Sequence, residues 1–217
     1  MLKITIRLPF LFLLLSWMVG CSLSADRYHP QYTTHIQGIR SVLLLTPQIA
    51  VMQDNAQGKA VWNEQASQEA VRLAEQAVRR VLISKHLTVH TADKQLNTQA
   101  EVRDIQSLYS AVNRSIQLHT FGPQIFPDKI ESFDYGLGSV ADLLGSHNAD
   151  ALVLVMGLQD LSSVQPRDWI SIGVVEPAGS IIWYHMERDK QHLGMQTDAG
   201  IRALVESALG HFMEGIR

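Results

Sequence analysis

Nine histidines, 21 acidic side chains and several serines beside glycines give this 217-residue chain many groups that could do chemistry, so spacing has to decide between them. His86 and His90 stand four apart, which brings two imidazoles to one metal only on a helix. The segment 87–91 reads as a strand, where four residues span about 13 Å, so the pair cannot share an ion. His185 and Glu187 fall two apart on one strand face, about 7 Å between Cα atoms, with His192 the nearest third ligand. Two ligands do not make a site, and no metal is expected. Ser139 lies in Gly136-Leu137-Gly138-Ser139 rather than in the G-x-S-x-G of a nucleophile elbow, and reads as a helix N-cap. The same glycines could cradle an anion at a helix start. No lysine completes a phosphate loop, so a tight turn is the reading. Asp150 and Asp160 bracket a strand too far apart for a carboxylate pair, and Asp150 reads as the end of a turn. No cofactor is expected, and the chain reads as non-enzymatic.

The one cysteine, Cys21, has a more specific setting. Lys3 and Arg7 precede an apolar run from Leu8 to Trp17, and Met18-Val19-Gly20-Cys21 follows. A basic start, a short apolar core and small residues before a cut describe a signal peptide. From Leu8 to Gly20 a helix would reach about 20 Å, short of the roughly 30 Å hydrocarbon core. A retained membrane helix and a plain secretory signal are the rival readings. Small residues followed directly by cysteine resemble the lipobox of bacterial lipoproteins, although Met18 stands where leucine is usual. That resemblance implies cleavage after residue 20, diacylglycerol and often a third acyl chain on Cys21, and a membrane attachment made by lipid. Ser22 follows, where inner-membrane retention signals often carry aspartate, which favours the periplasmic face of the outer membrane.

Cleavage would leave 16 Lys and Arg against 21 Asp and Glu. A mildly acidic body lacks the basic footprint of a nucleic-acid binder, so no nucleic acid is expected. With no second cysteine there is no disulfide, and stability has to come from an apolar core. The expected organisation is a signal peptide over 1–20, a lipid anchor and tether over 21–38, and one domain over 39–217.

Hydrophobic periodicity supplies the elements. Residues 41–46 read as a buried strand ended by Pro47. Residues 49–52 and 60–62 flank Asp54-Asn55-Ala56-Gln57-Gly58, a hairpin loop. Asn63 caps a helix to about Ser84 with Ala70, Ala74, Ala77, Val78, Val81 and Leu82 on one stripe. Thr98-Gln99-Ala100-Glu101 has the form of a capping box, opening a helix with Val102, Ile105, Leu108, Tyr109, Val112 and Ile116 inward. A loop from Phe121 to about Gly138 leads to a short helix with Val140, Leu143 and Leu144 inward. The run 151–156 is the most apolar strand, of the kind covered on both faces. Residues 169–175 and 180–186 form a hairpin around Glu176-Pro177-Ala178-Gly179, with Gly179 free to take positive φ. Thr197 caps a last helix with Ile201, Leu204, Val205, Ala208, Leu209 and Phe212 inward. This order predicts an α/β sandwich, a mixed sheet with packed helices.

The lipobox, the early strand pair, the long helix, the strand entry Ala149-Asp150-Ala151 and the hairpin Gly179-Ser180-Ile181-Ile182-Trp183 together resemble a group of periplasmic lipoproteins. That group includes the curli-secretion lipoprotein, penicillin-binding-protein activator lipoproteins and the amino-terminal domain of TolB. The resemblance implies the α/β fold and an envelope location. Its motifs are a strand entry and a turn, which carry fold better than function. Long pore-forming hairpins are absent from the sequence.

Aromatics mark the expected contact surface. Phe126, Phe133 and Tyr135 lie in the loop after the second long helix, and Trp169 opens the hairpin. Trp62, Trp169 and Trp183 read as core by default. The expectation is a lipid-anchored accessory or scaffold of the bacterial envelope, meeting envelope proteins and forming a homo-oligomer. The alternatives are a small-molecule or glycan-binding lipoprotein using the Phe121–Tyr135 loop, or a subunit of an envelope secretion assembly.

Overall fold

The computed structural model describes residues 26–122, 128, 132–162, 168–189 and 193–214. Its strands are β1 (Asp26–Tyr28), β2 (Ser41–Leu44), β3 (Gln48–Asp54), β4 (Ala60–Trp62), β5 (Thr88–Thr91), β6 (Ala151–Asp160), β7 (Trp169–Val175) and β8 (Ile181–Arg188). Its helices are α1 (Tyr32–Ile36), α2 (Glu64–Ser84), α3 (Lys94–Asn97), α4 (Ala100–Phe121), α5 (Ala141–Ser146) and α6 (Asp198–Gly210). The eight strands form one mixed sheet in the order β1-β8-β7-β6-β2-β5, and it does not close into a barrel.

β6 organises the sheet. The β7–β8 hairpin and β1 extend it antiparallel on one side. On the other side two strands share its edge in series, both parallel to it: β2 along Ala151–Val153 and β3 along Met156–Asp160. Thr46-Pro47 separates them, since proline has no amide to donate to a ladder. β5 then pairs with β2, and β4 with β3. The most apolar run therefore became the most paired strand, buried on both faces as its composition predicted.

Period-two alternation divides the core. Val42, Leu44, Val51, Val153, Val155, Ile170 and Ile172 face one way, under α2 and α6. Leu43, Leu45, Leu152, Leu154, Val175, Tyr184 and Met186 face the other, under α4 and α5. The α2 stripe is buried as expected except that Leu73 joins it and Val81 is half-buried. Asn63 caps the helix, its Oδ1 accepting from the Ala66 amide at 3.0 Å. Thr197 does the same for α6.

Several local expectations fail for identifiable reasons. Thr98 does not open a capping box, because a short helix already occupies the preceding turn: Asp93 caps α3, and the Thr98 hydroxyl donates back to the Gln95 carbonyl at 2.8 Å. Gln99 becomes the N-cap of α4 without a side-chain bond. Leu108 is exposed, since the buried stripe of α4 runs through Val102, Ile105, Tyr109, Asn113 and Ile116. Val140 rather than Ser139 caps α5.

The largest departure is at the start. Polar composition and Pro30 made residues up to 38 look like tether, yet β1 pairs with β8 in register Asp26↔His185, Arg27↔Tyr184, Tyr28↔Trp183. Ile36 of α1 is wholly buried. The Tyr32 hydroxyl accepts from the Met213 amide at 3.2 Å, and burial pushes its phenol up to about 12. Backbone pairing to a distant strand does not require an apolar run, which is why composition gave no sign of it.

Candidate functional site

The residues expected to form a contact surface have the following places. Cys21 and Phe126 lie outside the described residues. Phe133 is only 3% exposed, packed in the second-face core 6.4 Å from the Tyr184 ring with the Arg27 guanidinium over it. Tyr135 is half-buried and its hydroxyl lies 2.6 Å from His119 Nδ1. Its carbonyl accepts from the Ile181 amide. Trp169 is half-buried at the far end of the hairpin, opposite Arg188. Phe133 and Tyr135 thus come together, while Trp169 sits at the other end of β7. Trp183 is core, as read, its ring stacked with His185 and in tilted contact with Phe212.

His185 and Glu187 do project on one face, and the fold adds two partners that spacing could not reveal. His185, 4% exposed, places Nδ1 2.9 Å from Asp26 Oδ1 and Nε2 3.5 Å from Glu187 Oε2. The Ser207 hydroxyl of α6 donates to Glu187 Oε2 at 2.8 Å. Serine here is held by a carboxylate and not by the imidazole, so the arrangement lacks the nucleophile–base bond that activation requires. What it does is fasten β1 to β8 and β8 to α6. Among the described residues no three His, Cys, Asp or Glu side chains converge on a metal-sized space.

Asp150 also has a structural job. Its Oδ2 accepts from the Arg40 and Ser41 amides, both at 2.8 Å, and lies 2.9 Å from the Ser41 hydroxyl. Partial burial opposes its ionisation, but these hydrogen bonds outweigh that and hold the carboxyl below the usual carboxylate range. The strand entry Ala149-Asp150-Ala151 thereby ties the start of β6 to the start of β2.

Two grooves lie toward the sheet edge farthest from β1. On the second face a groove of about 590 Å³ runs between α4 and the sheet, lined by Gln48, Ala50, Trp62, Ser107, Ser110 and Met156. Trp62, read as core, is 58% exposed. It belongs to the three-residue edge strand β4, and its Nε1 donates to Ser67 Oγ at 2.7 Å, which fixes the ring. On the first face a groove of about 510 Å³ separates α2 from β5, lined by Glu75, Gln76, Arg79, Arg80, Ile83 and Thr91. Arg79 and Arg80 are exposed, and neither makes an ion pair with a described residue. The sequence held one clue to this second surface: two adjacent arginines behind an apolar stripe.

No helix among the described residues is long and apolar enough to cross a membrane. No protein-family model and no curated protein matches the chain. Among solved structures it is similar to a PelC dodecamer from Paraburkholderia phytofirmans, at 10% identity over 85% of this chain and 91% of that one, TM-score 0.37. It is also similar to the LpoB C-terminal domain from Salmonella enterica (13% identity, 75% and 94% covered, TM-score 0.32) and to lipoprotein GNA1162 from Neisseria meningitidis (7% identity, 82% and 99% covered, TM-score 0.32).

Proposed function

We propose that this chain is a lipid-anchored, non-enzymatic accessory protein of the bacterial cell envelope that works through contacts with other proteins. The observation that carries the reading is where β1 begins. Asp26, only five residues after Cys21, is already fixed in the sheet beside β8. Five residues reach at most about 18 Å, so lipid on Cys21 would hold the β1 edge close to the bilayer. The other edge lies five strand spacings away in the order β1-β8-β7-β6-β2-β5, about 24 Å at roughly 4.8 Å each. A body tethered this way turns its open edge toward the periplasm. Confinement to a thin layer raises its effective concentration for membrane-bound partners without any new contact. The outer membrane is the proposed address.

The test is metabolic labelling with an alkyne-bearing palmitate, combined with chemical crosslinking in intact envelopes. Wild-type chain takes up label and yields protein adducts, and Cys21→Ser takes up none and appears in the soluble fraction. Normal membrane retention of Cys21→Ser, or crosslinking that recovers no protein neighbour, defeats the proposal.

A glycan-binding role is the second reading, favoured by the Trp62 groove rather than by the Phe121–Tyr135 loop. A fixed, exposed indole beside Gln48, Ser107 and Ser110 offers an apolar platform with neutral hydrogen-bonding groups. A thermal-shift screen of wild type and Trp62→Ala against envelope glycans decides it: stabilisation lost in the variant supports this reading, and no stabilisation of either removes it.

A further inference from the structure

The outer edge of β5 carries backbone groups that the fold leaves open. Thr88 donates to the Arg40 carbonyl and Ala92 to the Leu44 carbonyl. In a parallel ladder this parity turns residues 88, 90 and 92 toward β2, so the N–H and C=O of Val89 and Thr91 point away from the sheet. No bond to those groups exists among the described residues. Two backbone groups elsewhere on the same side of the sheet are covered by side chains. Gln106 Nε2 donates to the Thr46 carbonyl at 3.1 Å, and Ser67 Oγ accepts from the Val51 amide at 2.9 Å. A bare edge is a template for another strand.

The side chains beside that edge select what could be added. Val89 pairs with Val42 and Thr91 with Leu44, so both project onto the first face, toward α2. A strand added beside β5 would point every second side chain into the groove with Arg79, Arg80 and Ile83. Ile83 is 47% exposed and offers an apolar contact. The groove's charged residues are Arg79 and Arg80 against the single carboxylate of Glu75.

We infer that the β5 edge takes up an extended, acidic segment of another protein as an additional strand, its carboxylates meeting Arg79 and Arg80. Main-chain bonds supply the attachment, and the alternate side chains supply the selectivity. The other edge strands of this chain argue against a second copy as the occupant. The one carboxylate of β1, Asp26, is buried against His185, and β4 carries none. The inference rests on the proposed function for the partner being an envelope protein. The surface itself does not depend on the lipid.

The full chain in detergent micelles is titrated into a fluorescein-labelled, end-blocked heptapeptide of alternating glutamate and valine, followed by anisotropy. Two controls are its lysine–valine counterpart and a version N-methylated at alternate amides. The expected result is saturable binding of the acidic peptide alone, weakened about tenfold or more by Arg79→Glu with Arg80→Glu. Thr91→Pro removes an outward N–H that β2 does not use, and binding should be lost while the melting curve is kept. Should that variant melt early, the N-methylated peptide puts the same question to the unaltered protein. Equal binding of the lysine peptide, undiminished binding of the N-methylated one, or no binding up to about 1 mM overturns the inference. So does peptide-free dimerisation that Thr91→Pro abolishes, which would give the edge to a second copy. Acylation of Cys21 does not enter this readout, so failure here leaves the anchor standing, and the reverse.

Discussion

Replacing Gly179 by alanine separates two reasons why a glycine ends the β7–β8 turn. Gly179 has φ +98°, a region that costs an L side chain about 1–2 kcal/mol. A Cβ built there would also lie 1.9 Å from the Gly138 carbonyl oxygen and 2.4 Å from its carbon. That neighbour is backbone, and the approach is held in place by Leu137 N–H donating to the Gly179 carbonyl at 2.8 Å and Val140 N–H donating to that of Pro177 at 3.0 Å. Displacing it should cost a further 1–3 kcal/mol or so, the usual range for overpacking. The sum, about 2–5 kcal/mol, corresponds to a Tm lowered by about 4–20 °C for a domain near this size. Gly58→Ala is the control. Gly58 also has positive φ, at +69°, but a Cβ there meets nothing within 4 Å, so it should show the backbone cost alone, about 1–2 kcal/mol. Thermal and urea unfolding of both variants, with unchanged m-values, give the comparison. Equal costs for the two substitutions would refute the close approach of the turn to the Gly136–Ser139 segment.

Asp150→Asn should destabilise the body by about 1–2 kcal/mol at neutral pH, and it should also flatten the acid limb of the stability curve. Because the folded pKa lies below the unfolded one, the carboxylate contributes fully above its ordinary value of about 3.9. Its contribution fades as pH falls toward the folded value; urea midpoints between pH 7 and pH 3 measure it, and identical acid limbs for variant and wild type would contradict the cause assigned. Gly173→Ala would bring a Cβ to 2.7 Å from the Tyr109 hydroxyl and 2.9 Å from Cε2. Tyr109 is fully buried and cannot swing aside, so a net cost of about 1–2 kcal/mol is expected, largely relieved in a Tyr109→Leu background by a double-mutant cycle. Additive costs would mean that α4 does not press on β7 there. Asn63→Ala should cost about 1 kcal/mol through loss of the α2 cap, read as a urea midpoint shift, and an unchanged midpoint would deny the cap its role.

From β2 onward, α3 apart, local periodicity carried the order of elements, the apolar stripes of α2 and α6, the caps at Asn63 and Thr197, and the turn at Gly179. Each of these is decided within a few residues by which side of a helix or strand is apolar, or by one side chain reaching one nearby amide. The expectation of an anchor at Cys21 likewise rests on local sequence alone. What the sequence could not carry is who pairs with whom. Asp26 meets His185 across 159 positions, and Ser41 meets Asp150 across 109. Pairing over such distances is selected by the packed whole, and β1, polar and three residues long, holds its place through backbone bonds that leave no hydrophobic trace. The same cause hid the exposed surfaces. A strand's place at an edge or in the middle is not written in its own residues, so Trp62 read as core while standing exposed on β4. Arg79 and Arg80 drew no reading from the sequence, because only the sheet sets an open strand beside them.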